Sequence, residues 1–161
     1  MRLQNKIALV TGAASGFGEG IARTFAREGA KVVIADINEK AAQEVAAAIG
    51  RNAIAVRADV SRRADVDAAV KAALDAFGGL DILVNNAGIN FNRAPLTEVT
   101  EEQFDRIFAV NVKSIYLFAQ AVVPYFRRVG GGVIINIGST AGLRPRPGLT
   151  WGKPYGIGLN T

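Results

Sequence analysis

The strongest constraint on this chain is an alternation between two kinds of apolar segment. Short, largely apolar runs bounded by Gly, Asp or Asn occupy residues 7–10, 32–35, 53–56, 82–84 and 133–137. They are too short for helices and lack strict polar alternation, which is the pattern of strands buried on both faces of a parallel sheet. Between them the spacing is helical: Ile21 with Phe25, Val45 with Ile49, then Val66, Val70, Leu74 and Phe77. Thr100 with Gln103 makes a capping-box start for a longer helix carrying Phe104, Phe108, Ile115 and Val122. Gly29, Gly50 and Gly78 with Gly79 stand where helices should stop. The order is β-α-β-α-β-α-β-α-β, with no internal repeat and no low-complexity linker. With right-handed crossovers, that order predicts an α/β fold: a doubly wound parallel sheet that takes its ligand at the carboxyl ends of the strands.

Composition removes several chemistries. A chain of 161 residues suits one compact domain. It contains no cysteine and no histidine, so disulfides, thiol nucleophiles, Cys/His zinc sites and histidine acid–base schemes are excluded. The formal net charge is +5, but the basic residues are scattered, with only short pairs such as Arg62–Arg63 and Arg127–Arg128. No basic run and no interleaved aromatics point to nucleic acid. The most apolar stretch, 115–123, is interrupted by Gln120, so no membrane span is expected. The start carries only four consecutive apolar residues, too few for a signal peptide. The expectation is a cytoplasmic protein with neither nucleic-acid nor membrane partners.

The chemistry gathers at strand ends. TGAASGFGEG follows the first strand and opens a helix, with Gly12, Gly16, Gly18 and Gly20. Glycines at such a turn permit positive φ and close approach of a pyrophosphate, and the helix N-terminus offers unpaired N–H groups. No Lys-Ser/Thr follows, which argues against a P-loop. Asp36 ends the second strand, 18 residues beyond Gly18. A carboxylate there can accept both hydroxyls of an adenosine ribose and would repel a 2′-phosphate, favouring NAD over NADP. The plain alternative is that Asp36 caps the next helix.

These residues resemble the short-chain dehydrogenase/reductase family, in the branch with a TGxxxGxG turn. Thr11, Gly12, Gly16 and Gly18 match that spacing. Asp59 and Val60 end the third strand, where the family holds adenine. Asn85-Asn86-Ala87-Gly88 matches its NNAG string, a more specific signature than any glycine turn. Asn111 stands at the family's active-site Asn, which links the catalytic Lys to a water relay. Ser139, in INIGSTAG, stands at the Ser that orients the substrate oxygen. The resemblance implies a Rossmann-like domain over residues 1–151, incomplete after the fifth strand. It implies NAD held by Gly12, Ser15, Gly16, Phe17, Gly18, Asp36, Ile37, Asp59, Val60, Asn86, Ala87 and Gly88. Each polar position also has a bland reading. Asn85 or Asn86 could satisfy backbone at a strand end, Asn111 could be solvated, and Ser139 could form a turn.

The family transfers hydride between nicotinamide and a carbinol or carbonyl carbon, using a Tyr and a Lys in a YxxxK motif. Counted from Ser139, those positions fall on Gly152 and Gly156. Lys153 and Tyr155 lie nearby, but reversed and two apart, a spacing that does not face on a helix, and Pro154 disfavours helix at Lys153. The abrupt departure suggests a changed reading frame after Trp151, with 152–161 an aberrant tail. The reading is then an oxidoreductase by lineage that lacks activity alone. The alternatives are a non-catalytic dinucleotide-binding module or an interaction partner of longer relatives. Loss of the family's next helix would expose the long helix and the fifth strand's edge, so self-association is expected.

Overall fold

The computed structural model describes residues 1–90 and 94–139, the side chain of Leu96 excepted. The expectations that rest on 140–161, including Gly152, Lys153, Tyr155 and Gly156, lie outside the described residues.

All five expected strands form: β1 (Ile7–Thr11), β2 (Lys31–Asp36), β3 (Ala53–Arg57), β4 (Ile82–Asn85) and β5 (Val133–Asn136). They make one parallel sheet in the order β3-β2-β1-β4-β5. Helices α1 (Gly16–Arg27), α2 (Glu39–Ile49) and α3 (Arg63–Phe77) are the first three crossovers. The architecture is the Rossmann-like, doubly wound one expected. Strand order reverses at β1, so the crevice between β1 and β4 opens at their carboxyl ends.

Alternate strand residues enter two cores, which explains the apolar runs. Leu9, Val33 and Leu83 face α3 and the long helix, packing with Val66, Val70, Leu117 and Phe118. Val10, Ile34 and Val84 face α1 and α2, packing with Ala22, Ala42 and Val45. Gly50 and Gly78 end α2 and α3 with φ of 88° and 82°, in conformations that side chains rarely adopt.

The long helix differs from expectation in two respects. It is not uniform: α4 (Glu101–Phe108) and α5 (Ser114–Val129) are joined by one π-helical turn, Ala109–Lys113. The expected capping box is present, with the Thr100 N–H donating to Gln103 Oε1 at 3.1 Å and the Gln103 N–H to Thr100 Oγ1 at 3.3 Å. The buried stripe, however, runs through Ile107, Asn111, Leu117 and Val122. Phe104 and Phe108 stack on each other at 4.3 Å between ring centroids, beside that stripe and only half buried. The second difference concerns membranes. Glu101–Val129 makes a 29-residue helix long and apolar enough, by length and composition, to cross one, because a single Gln120 does not lower the average. In the fold, its Leu117, Phe118, Val122 and Phe126 are buried in the core with α3.

β5 is a sheet edge. Among the described residues no strand pairs with its outer side, and Val133 and Ile135 are exposed.

Candidate functional site

The glycine turn is held from β4. Thr11 Oγ1 accepts the N–H groups of Asn86 and Ala87, each at 3.0 Å, and donates to the Val84 carbonyl at 3.3 Å. Asn86 Nδ2 donates to the carbonyls of Thr11 at 2.9 Å and Gly12 at 3.1 Å. Asn86 therefore serves backbone at a strand end, as the bland reading allowed, and lines the cavity as well. Gly12 has φ +62°, and a Cβ there would meet Ala87 Cα at 2.8 Å. Gly18 is buried, and its Cβ would lie 2.1 Å from the Gly12 carbonyl oxygen. Gly16 is different: it has φ +57° and open space where a Cβ would stand. Its glycine meets a backbone requirement and keeps the approach to the turn open.

The N-terminus of α1 is left without a side-chain cap, although Ser15 is its N-cap residue. Helices α2 and α4 close theirs with Asn38 and Thr100. The first-turn N–H groups of α1 thus stay available to an acceptor from outside, with the positive end of the helix dipole behind them.

A cavity of about 560 Å³ opens at these strand ends. It is lined by Gly12, Ser15, Phe17, Asp36, Ile37, Asp59, Val60, Asn86, Ala87 and Gly88, ten of the twelve expected cofactor residues. Gly16 and Gly18 do not line it. Neither do Asn111 and Ser139, the two expected catalytic residues. The lining also includes residues missed in the sequence: Ala58, Ser61, Ile89, Arg106, Ala109 and Val110. Phe17 and Ile37 stand at the mouth, 86% and 59% exposed.

Asp36 does not cap α2; Asn38 does, accepting from the Ala41 N–H at 3.2 Å. One Asp36 oxygen accepts the Ala14 N–H at 3.0 Å and the other the Asn38 N–H at 2.9 Å. A carboxylate has about four acceptor positions, so each oxygen can still take a hydroxyl.

Asp59 accepts the Ser61 hydroxyl at 2.6 Å and the Ser61 N–H at 3.0 Å. The hydroxyl bond is the main reason its carboxyl is held below the ordinary carboxylate value; partial burial opposes it, and the Ser61 N–H, Arg62 and Arg57 reinforce it. With the folded-state value lowered, the stabilisation from ionised Asp59 is fully present above the unfolded-chain value of about 3.9 and is lost as pH falls through the lowered value. Ser61→Ala should therefore destabilise the protein above the ordinary carboxylate value, with the deficit fading as pH falls below it, as read from urea midpoints on either side.

Asn111 is 1% exposed and sits inside the π-turn. Its Oδ1 accepts the Ile89 N–H at 2.8 Å, and its Nδ2 donates to the Ile89 carbonyl at 2.9 Å. It is not a solvated helix residue but a clamp on the chain just past Gly88. Ser139 lies three residues past β5 and is half buried.

Comparison with known proteins agrees with this geometry. Residues 6–152 match the family described as short chain dehydrogenase. The chain is 48% identical over 155 residues to 4-formylbenzenesulfonate dehydrogenase of Comamonas testosteroni, covering 94% of this chain and 61% of the relative. It is 52% identical over 145 residues to galactitol 2-dehydrogenase of Agrobacterium fabrum, covering 89% and 56%. A 3-ketoacyl-(acyl-carrier-protein) reductase from Brucella melitensis, solved with NADH, superposes with a TM-score of 0.91 at 52% identity, covering 92% of this chain and 63% of that one. The chain thus spans roughly three-fifths of the relatives it matches. With residues 6–152, most of its length, matching that family, the chain belongs to the short chain dehydrogenase family.

Proposed function

We propose that the cavity holds NAD and that the chain descends from an oxidoreductase moving hydride between nicotinamide and a ketone or secondary alcohol. The observation that carries this reading is the convergence of ten expected residues, from four separate strand ends, on one 560 Å³ cavity. The residues fit the group. The uncapped start of α1 and the open approach at Gly16 suit a pyrophosphate. Asp36 suits the adenosine ribose, and Asp59 with Val60 the adenine. Bound there, the nicotinamide ring supplies the site of hydride exchange. The chain's own residues bind and orient: Thr11 and Asn86 hold the turn, and Asn111 holds the wall beyond Gly88.

Gly152 and Gly156 stand where the family keeps its Tyr and Lys. This supports a chain that binds the dinucleotide without turning it over, since loss of a positioned general acid typically costs about 10²–10⁴ in rate. Titration with NADH, followed by its fluorescence, should saturate, and ketones added afterwards should leave the NADH unconsumed. Absence of saturable binding would overturn the reading. Asp36 gives a second handle. Asp36→Asn keeps the shape and removes the charge, so discrimination against NADPH should fall about tenfold, with some loss of thermal stability because the amide nitrogen cannot accept one of the two backbone N–H groups the carboxylate holds.

A further inference from the structure

Arg106 is the only cation among the described residues that line the cavity, which also holds the carboxylates of Asp36 and Asp59. It is exposed, and among the described residues no carboxylate pairs with it. It is not among the charges acting on Asp59, which are Arg62 and Arg57. Ala109 and Val110 follow it by three and four residues and line the same cavity, so all three share one flank of the long helix. That flank lies between the third-strand and fourth-strand ends of the cavity, since the core cluster that takes Val110 also takes Ala87 and the adjoining Asn111 holds Ile89. Val110 packs into the core cluster that contains Ala58 and Val60, and Arg63, at the start of α3, donates to the Leu117 carbonyl at 3.1 Å. The glycine turn packs into the other core.

Resting on the cofactor reading above, we propose that Arg106 binds the adenine ring, laying its guanidinium over the ring's face while Val60 and Val110 supply the apolar bed. A planar guanidinium suits a flat aromatic heterocycle, and an unpaired one gives up no ion pair to do so. An arginine stacked on the ring acts through shape as well as charge, so lysine is not an equivalent substitute.

The test compares binding of NADH and ADP-ribose by the full chain, using NADH fluorescence and displacement by ADP-ribose. Arg106→Ala should weaken both ligands by the same factor, about threefold to tenfold, and Arg106→Lys should remain weak. An unchanged melting temperature marks both variants as folded, as expected for an exposed side chain. Three results overturn the inference: wild-type affinity in Arg106→Ala, full recovery in Arg106→Lys, or a loss confined to NADH. If wild type binds no NADH, the cofactor reading falls and takes this one with it; if wild type binds and the variants bind equally well, only the role of Arg106 falls.

Discussion

Replacing Gly18 by Ala should lower the melting temperature by roughly 6–12 °C and weaken NADH binding at least tenfold. The added Cβ would lie 2.1 Å from the Gly12 carbonyl oxygen, 2.5 Å from Asn86 Nδ2 and 2.8 Å from the Gly12 carbonyl carbon. Two of those atoms are backbone and cannot rotate away. The third belongs to an amide already bonded to Thr11 and Gly12. Relief requires α1 to move off the turn, an overpacking cost of about 3 kcal/mol, which corresponds to the melting shift above for a domain of this size. Gly20, two residues along the same helix, has no neighbour within 4 Å of a Cβ. Gly20→Ala should instead stabilise by about 0.5–1 kcal/mol through helix propensity. Thermal melts of the two variants side by side test the assignment, because two like substitutions in one helix are expected to have opposite signs.

The second large effect is expected at Asn111. Asn111→Leu keeps a similar volume but leaves the N–H and C=O of Ile89 facing an apolar side chain. Stranding a donor and an acceptor in this way should cost about 2–4 kcal/mol, read as a lowered urea midpoint. Amide exchange at Ile89 should accelerate more than exchange in β1 or β2, since the lost bonds are local. A helix residue pointing into water would give the opposite outcome, with Leu neutral or slightly stabilising.

The strands and the first three helices were legible because each strand carries a short apolar run, largely buried in β1, β2 and β4 though not in β3 or β5, and each helix carries one apolar stripe. The cavity wall along α4 and the π-turn was not. Arg106, Ala109 and Val110 carry no spacing signature, and the i, i+4 pairing of Phe104 with Phe108 drew attention to the wrong flank. A π-turn has no sequence pattern of its own, so the helical face that continues past it cannot be projected from the residues before it. Glycines posed a related difficulty. Gly12, Gly16 and Gly18 read alike in sequence, yet only Gly16 stands in open space while Gly18 packs backbone on backbone. Asp36 shows a third limit. A carboxylate at a strand end reads as either a cap or a ligand group; here Asn38 does the capping, and the Asp36 carboxylate ties the glycine turn to β2.

The bonds between Thr11 and the Asn86–Ala87 backbone span 75 and 76 positions of sequence. During synthesis, β1, α1 and β2 are therefore available long before the turn between β1 and α1 acquires its final shape. The nascent chain must deliver β4 and the NNAG string before the hydroxyl of Thr11 and the carbonyl of Gly12 find their partners. Any nucleotide affinity that depends on this turn is therefore expected only after β4 has joined the sheet, rather than growing with each strand added. A ribosome-bound chain carrying only its first two strands has the glycines without the grip.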